Sequence, residues 1–505
     1  MANEDFPDDR LDADLPGDEN PEISAEIAAA TADLDDDADA ELTPDSAPLT
    51  LEVVEAALNR RRNEVQISPT LDRIIALLDL LGNPQGAYPV IQIAGTNGKT
   101  SVSRMIDALL SRVGVRTGRF TSPHLQSVTE RISIDGTPIS TQAYVGTFAD
   151  ISSYVDLVDA ASIREGGLPL SKFEILTAMA FAAFADAPVE TAVLETGLGG
   201  TWDSTNVADA RIAAITHIGI DHTDFLGDTL AEIAGNKAGI IKPDAVAVIG
   251  RQEPVAMEVL LRRAVEVDAT VARFGAEFTV LRREFAVGGQ RLALQGLGGS
   301  YEDIFLPLSG VHQAENAALA LAAVEAFFGA GAGRQLDVEA VQDGFAAVAS
   351  PGRLERIRAG SDSRPTVLID AAHNPHGAAA LATALEEEFA YRKLVGVLAV
   401  LADKDVRGVL QALEGSFDEV VVTVNSSPRS MPVPELTELA VSVFGEHRVH
   451  SAPRLESAIA LATDLAEAGN DDDRELLGAA GTGVLVTGSV VTAGDARALA
   501  GLEPA

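Results

Sequence analysis

The sequence predicts an α/β protein of two domains. A larger first domain stands on a mostly parallel sheet with a small antiparallel sheet attached, and a smaller Rossmann-like α/β domain follows it. Three observations predict this. The apolar strand Tyr88-Pro-Val-Ile-Gln-Ile-Ala94 runs into the glycine-rich turn Gly95-Thr-Asn-Gly-Lys-Thr-Ser101 and then a helix through Val113, the order of an α/β phosphate-binding unit. Short apolar strands then alternate with helices, which argues for parallel pairing. The same alternation resumes after Pro351-Gly-Arg353.

Residues 1–46 hold seventeen Asp and Glu against a single basic residue, Arg10. Such a segment buries too little apolar surface to offset chain entropy, so residues 1–48 are expected to be a disordered acidic tail. From residue 49 the pattern becomes globular, with amphipathic helices over 51–61 and 71–81. After the strand–turn–helix unit, strands are expected at 191–194, 213–216 and 245–249, with helices at 171–185 and 229–238. Short β segments with glycine turns between 270 and 308 predict the antiparallel sheet, and a helix over 312–329 closes the first domain, residues 49–335. Residues 336–352 form a linker region with one helix. In the second domain, 353–505, strands fit at 366–369, 394–400, 419–423 and 484–487, and helices at 376–388, 406–413, 433–443 and 455–465.

Composition narrows the function. The chain has 505 residues, 47% of them hydrophobic, enough for two or three domains with real cores. No apolar run is long enough to span a membrane, and the first residues lack the pattern of a secretory signal. With no cysteine at all, disulfides, thiolate metal sites and a Cys nucleophile are excluded, and a cytoplasmic protein is expected. A formal net charge of −39 repels nucleic-acid phosphates and acidic membranes, so neither is an expected partner.

The strongest local signal is Gly95–Ser101. Backbone N–H groups of such a turn converge on phosphate oxygens, aided by the partial positive charge of the following helix. Lys99 would reach the β- and γ-phosphates, and Thr100 or Ser101 suits phosphate or Mg²⁺. The usual longer spacing needs a glycine where Ile93 stands, so the loop is a shorter variant. Glu195 ends an apolar strand, where carboxylates of a parallel sheet face the ligand crevice and suit Mg²⁺; alone it is equally a helix cap or surface acid. His222, in Asp221-His-Thr-Asp224, is a possible metal ligand or a structural histidine. Asp370 and His373, in Asp370-Ala-Ala-His-Asn-Pro-His376, lie at another strand end, in a segment that also reads as a turn with an Asn-Pro helix start.

Taken together these segments resemble the folylpolyglutamate synthase/dihydrofolate synthase family of the Mur ligase superfamily. Nine motifs occur in the family's order: Gly95-Thr-Asn-Gly-Lys99, Phe120-Thr-Ser-Pro-His-Leu125, Leu194-Glu-Thr-Gly-Leu-Gly-Gly200, Asp221-His-Thr-Asp224, Lys237-Ala-Gly239, His312-Gln-Ala-Glu-Asn316, Pro351-Gly-Arg-Leu354, Asp370-Ala-Ala-His-Asn374 and Thr487-Gly-Ser489. The resemblance covers residues 49–505. It implies a P-loop-type Mur ligase central domain, and an ATP- and Mg²⁺-dependent ligase that activates a carboxylate as an acyl phosphate and joins it to L-glutamate. The acceptor would be dihydropteroate, the γ-carboxylate of a reduced folate, or both.

The resemblance also implies roles. Asn97, Gly98, Lys99 and Thr100 match the ATP-phosphate loop; Asn316, Arg353 and Asp370 match nucleotide contacts. Ser122, Glu195 and His222 match ligands of one or two Mg²⁺ ions, and Lys237 a lysine that is carbamylated in the superfamily. His373 and Ser489 match positions near the incoming glutamate. Pro69, Thr70, Leu71, Ser171, Phe173, Thr201, Trp202 and Asp203 match the pterin side of the folate pocket. Lys99, Lys237, Arg353 and His373 are the expected catalytic set, in a monomer. The chain departs from the family at Lys99-Thr-Ser, where Lys-Gly-Ser is usual, at Thr201, often Arg, and at Asn236, often Glu. The rival readings are a Mur ligase of cell-wall precursors, a nucleotide-switched binding protein, and a family member that binds without catalysis.

Overall fold

The computed structural model describes residues 49–62, 68–329, 331, 333–360, 364–468 and 481–504. The expected acidic tail, 1–48, lies outside the described residues.

Helices α1 (Leu51–Asn59) and α2 (Asp72–Leu80) precede strand β1 (Val90–Ala94), which leads through the glycine turn into α3 (Lys99–Arg112). Then come β2 (Thr117–Phe120), β3 (Ile132–Ile134), β4 (Thr137–Pro138), α4 (Thr141–Arg164), α5 (Lys172–Asp186), β5 (Thr191–Glu195), β6 (Ala210–Ile215), α6 (Thr223–Leu226), α7 (Leu230–Ala238), β7 (Val246–Ile249), α8 (Pro254–Glu266) and β8 (Thr270–Arg273). These strands form a sheet of order β4-β3-β2-β5-β1-β6-β7-β8. It is parallel from β2 to β8, and β3 and β4 extend it antiparallel at one edge. All five residues of β1 and of β5 are buried, as central parallel strands covered on both faces must be.

Strands β9 (Thr279–Ala286), β10 (Gly289–Gln295) and β11 (Ser300–Leu306) make the antiparallel sheet. The expected β segment at its start is β8 instead, which pairs parallel with β7. The intervening helix α8 makes a βαβ crossover, which sequence periodicity in so short a strand does not distinguish from a hairpin arm. Helix α4 has no counterpart in the sequence expectation. Ser140 caps it, accepting from Ala143 N at 3.1 Å, and Tyr144, Ile151, Val155 and Val158 bury one face.

Helices α9 (Val311–Phe327) and α10 (Val338–Ala346) follow. The helix expected inside 336–352 is α10, and its Val341 and Phe345 pack into the same core as β1, α3 and α9. Glu325 of α9 is fully buried; its carboxylate accepts from Leu297 N, Gly298 N at 3.1 Å and Tyr301 Oη at 2.8 Å. Glu325→Leu strands these three donors, so a loss of about 2–4 kcal/mol is expected, read as a lower urea midpoint with unchanged m-value.

The second domain comprises β12 (Glu355–Arg358), β13 (Thr366–Ile369), α11 (Pro375–Glu388), β14 (Lys393–Leu398), α12 (Val406–Leu413), β15 (Glu419–Val422), α13 (Val433–Phe444), β16 (Val449–Ser451), α14 (Leu455–Ala468), β17 (Thr482–Thr487) and α15 (Val490–Leu499). Its sheet runs β12-β13-β17-β14-β15-β16, parallel except at β12. Helix α11 spans the junction. Near its C-terminal end Glu387 and Glu388 pair with Arg283 of β9, and Glu388 accepts from Gly310 N at 2.6 Å. Among the described residues no helix is long and apolar enough to cross a membrane.

Candidate active site

The carboxyl end of β1 opens into the glycine turn, and close packing dictates its glycines. A Cβ on Gly95 would lie 1.8 Å from Thr216 Oγ1, and one on Gly98, at φ +89°, 2.8 Å from Asn316 Oδ1. Thr96 N donates to His217 O at 2.9 Å, tying the loop to the end of β6. Lys99 Nζ donates to the carbonyls of Gly95 and Thr96, both at 3.2 Å, and Lys237 Nζ to the same Gly95 carbonyl at 2.8 Å. Two cationic side chains thus meet at one oxygen. Lys237 is buried, and burial first and Lys99 second bring its amine down to about 7.

Glu195 ends β5 in register with Ile93 of β1. Its carboxylate is buried and accepts from Thr100 Oγ1 at 3.0 Å on each oxygen. Burial raises its pKa against the pull of Lys99, Thr100, Arg353 and the Ser122 backbone. Thr100 is where the chain departs from the family's Lys-Gly-Ser, and its hydroxyl serves this carboxylate. The other two departures touch one another: Thr201 N and Oγ1 both donate to Asn236 O at 3.0 Å, and Asn236 Oδ1 accepts from Gly200 N at 2.9 Å.

His222 sits at φ +54°. Burial first, then Lys404, bring its imidazole down to about 4, leaving it neutral as a metal ligand must be. Asp221 stays well below the usual carboxylate range, since His222 and Lys404 outweigh its burial. Lys404, from the second domain, reaches Asp221 Oδ1 at 2.9 Å and lies 3.4 Å from His222 Nε2. Nothing in the sequence singled it out beyond its place just after the β14 strand end. Among the described residues no three His, Asp or Glu side chains gather as a preformed metal cage. The donors present still fit Mg²⁺, a hard cation that keeps waters and takes one or two carboxylates plus phosphate oxygens: the Glu195 carboxylate, lacking full compensation, with the nearby hydroxyls of Thr100 and Ser122.

In the second domain Asp370 ends β13. It accepts from Leu354 N at 2.9 Å and Ala372 N at 2.8 Å, so it shapes the turn that presents Arg353. Burial raises its pKa, and Arg353 opposes this. The Arg353 charge therefore acts on two buried carboxylates, Glu195 and Asp370. His373 is brought down to about 4, chiefly by burial and then by Lys404, and its Nδ1 is 2.9 Å from Ala371 O. Asn316 donates to Gln313 Oε1 at 3.1 Å beside Gly98.

One cleft of about 930 Å³ gathers residues from both domains: Ser122, Phe173, Trp202 and Asp203 with His222 on the first, and His373, Lys404, Arg429 and Ser489 on the second. Thr70 and Ser171 line it; Pro69, Leu71 and Thr201 do not. Several expected contacts also hold the fold. Ser171 caps α5, with Ser171 N donating to Glu174 Oε2 at 2.7 Å. Asp203 accepts from Leu198 N and Thr205 N. Ser489, nearly inaccessible, caps α15 and accepts from Asn425 Nδ2 at 3.1 Å. A second cavity of about 30 Å³, room for a water or an ion, lies between Thr100, Arg104 and Arg353.

A glycine loop and a strand-end carboxylate on one α/β domain, with the loop's Asn97 bonded to the strand-end turn of a second and a cleft lined by both domains nearby, are the arrangement of an ATP-dependent ligase that works between two domains. Residues 171–324 match the Mur ligase middle domain and 352–490 the Mur ligase glutamate ligase domain. The chain is 60% identical over 472 residues to a dihydrofolate synthase/folylpolyglutamate synthase of Mycobacterium tuberculosis, covering 92% of this chain and 96% of the relative. It is 33% identical to the Escherichia coli protein of that name, over 73% and 80% of the two. Mycobacterium tuberculosis folylpolyglutamate synthase complexed with ADP and AMPPCP superposes with a TM-score of 0.84 at 58% identity, over 90% of this chain and 99% of that one. Escherichia coli FolC in complex with DHPP and ADP gives 0.73 at 29%, over 90% and 99%. The chain belongs to the dihydrofolate synthase/folylpolyglutamate synthase family of the Mur ligases.

Proposed function

We propose that this enzyme adds L-glutamate, with ATP hydrolysis, both to dihydropteroate and to the γ-carboxylate of tetrahydrofolate and its glutamates. The observation that carries this reading is the shared cleft. Its first-domain wall offers the aromatic faces of Phe173 and Trp202 to a flat heterocycle. Its second-domain wall brings the cations Lys404 and Arg429 and the imidazole of His373 to an amino acid with two carboxylates. The double name of the 60% identical relative supports two acceptors.

A carboxylate is a poor electrophile at neutral pH. Its attack on the γ-phosphorus, in line with departing ADP, makes an acyl phosphate. Lys99 and Arg353 neutralise the transferring charge as preorganised cations. Glu195, Ser122 and Thr100, with His222 and Lys237, would hold Mg²⁺, which would supply further neutralisation of phosphate oxygens. The glutamate amine, arriving neutral, then attacks the acyl carbon, the bond from that carbon to the phosphate oxygen breaks, and the departing phosphate takes the proton the amine gives up. An imidazole whose pKa lies near 4 is a weak base, so His373 orients the amine and does not take its proton. Closure of the two domains excludes the water that would hydrolyse the acyl phosphate. Each chain carries both walls of its cleft, which supports a monomer, and the acidic, cysteine-free composition supports a cytoplasmic enzyme.

The test is phosphate release with Mg²⁺ and L-glutamate, dihydropteroate and tetrahydrofolate supplied separately, products weighed by mass spectrometry. Growth of one glutamyl unit on both acceptors is expected. Product from only one removes the double activity, and product from neither sends the search to cell-wall precursors. ATP hydrolysis without glutamate is expected to be slow.

Carbamylation of Lys237 needs the neutral amine. With its pKa near 7, the neutral fraction rises as pH rises through 7, so carbamate forms above that value and is lost below it. With ¹³C-bicarbonate, a carbamate resonance is expected at pH 8 and absent at pH 6, and absent from Lys237→Arg at both. An equal signal in the wild type and in Lys237→Arg would remove the assignment.

A further inference from the structure

Asn97 belongs to the phosphate loop by position, yet its side chain is committed to the other domain. Its Nδ2 donates to Asn374 Oδ1 at 3.2 Å and to His376 Nδ1 at 3.0 Å, and its Oδ1 accepts from Asn374 Nδ2 at 3.1 Å. Both N–H donors and one oxygen lone pair of the amide are thereby used on the second domain. Asn374 is itself fixed, since it caps α11 by accepting from Gly377 N at 2.8 Å and donates to Asp221 Oδ2 at 3.0 Å. The His376 ring lies flat on that of His217, centroids 4.1 Å apart and planes within 10°. The backbone oxygen of His217 is the one that holds Thr96 N. His217 therefore grips the phosphate loop with its carbonyl and the second domain with its ring. His376 is not needed to start α11, which Asn374 already caps, so its contacts serve the junction.

We propose that His376, stacked on His217, is a positioning residue for ligation: acting through Asn97, the pair sets where the glutamate-ligase domain stands against the phosphate loop. The proposal rests on the ligase reading above. The acyl phosphate forms over the loop and the amine arrives from the other domain, and reacting atoms must come within about 3–3.5 Å, where a 1 Å displacement costs up to about 10²-fold in rate. His217 and His376 line one edge of the shared cleft, and through Asn97 and the His217 carbonyl they add to that register at the phosphate loop itself.

The test uses the full chain. His376→Ala is expected to lower kcat/KM for glutamate about tenfold, while ADP affinity, measured by calorimetry, stays within about twofold. His376→Phe keeps the stack and His376→Gln keeps a partner for Asn97, and each is expected to restore part of the loss. His217→Ala combined with His376→Ala is expected to cost no more than the worse single change, as for residues acting as a unit. Because the chain has no cysteine, a pair introduced as Val287→Cys and Glu438→Cys labels the two domains cleanly. Energy transfer between the labels is expected to report a broader distance distribution in His376→Ala than in the wild-type background. Glutamate kinetics of His376→Ala within twofold of wild type, or identical distance distributions, would overturn the proposal. A wild-type enzyme that ligates no glutamate would instead sink the ligase reading, and the distance measurement would then decide the coupling alone.

Discussion

Replacing Lys99 with methionine lowers kcat for glutamate ligation by about 10²–10³-fold, the loss typical of one preorganised charge at a developing anion, and leaves the fold standing. Lys99 Nζ bonds only the loop carbonyls of Gly95 and Thr96, partners that methionine gives up at little cost because the group is only partly buried. In the mechanism proposed above the same ammonium meets the γ-phosphoryl oxygens, and nothing else on the loop carries a charge to replace it. A second effect follows from the geometry. Lys99 is the charge that helps hold the Lys237 amine down, so its removal moves the pH at which the Lys237 carbamate forms upward. Phosphate release, thermal unfolding and the ¹³C carbamate signal check the three parts. A variant that keeps more than a tenth of wild-type kcat would remove Lys99 from phosphoryl transfer.

Glu195→Gln is the second large effect, and its two parts have opposite signs. The carboxylate is buried, with Thr100 as its hydrogen-bonding side chain, and burial already raises its pKa. In the nucleotide-free protein a neutral amide removes that desolvation burden, so the variant is expected to unfold at the same temperature as the wild type or higher. With Mg²⁺ and ADP the order reverses. The wild type gains the linkage stabilisation of a bound ligand, about 2.7 kcal/mol at a hundredfold excess over Kd, and the variant gains little because it has lost its anionic oxygen donor. Ligation falls about 10²–10³-fold with it. Thermal scans with and without Mg²⁺·ADP decide the matter: equal ligand-induced shifts in the two proteins would exclude Glu195 from the metal.

The stability argument has a pH side at the same site. Glu195 and Asp370 have raised pKa values in the folded chain, so each binds its proton more tightly when folded than when unfolded. Their contribution to stability is present at acid pH and declines as pH rises through the folded values. His373, lowered to about 4, works the other way. Its neutral form is the one the fold holds, and its contribution is lost as pH falls from 6.5 toward 4.

Much of the site was legible because it is built from local chain. β1, the glycine turn and α3 are consecutive. A strand that ends in Glu195, or in Asp370, puts that carboxylate at the sheet's carboxyl edge whatever the rest does. Three features were not legible. Helix α4 buries one face against α1, α2 and the following helix α5, and its periodicity is blurred by alanine and serine that fit any element. β8 is too short for its pattern to choose between sheets. Ser489 looks like a substrate contact in Thr487-Gly-Ser489, and the fold shows that the same hydroxyl also caps α15.

By itself the sequence determined the two α/β domains, the glycine loop between strand and helix, and the family, and it named the acids and bases proposed for the chemistry, since each of these is written within a few neighbouring residues. Only the tertiary structure decided which of them meet. Asn97 and Asn374 are 277 residues apart and share two hydrogen bonds; Asp221 and Lys404 are 183 apart and share an ion pair; His217 lies flat on His376. Such contacts depend on how two separately folded sheets dock, through the packing of whole surfaces. Hydrophobic periodicity records which face of an element is buried, and carries no record of what buries it.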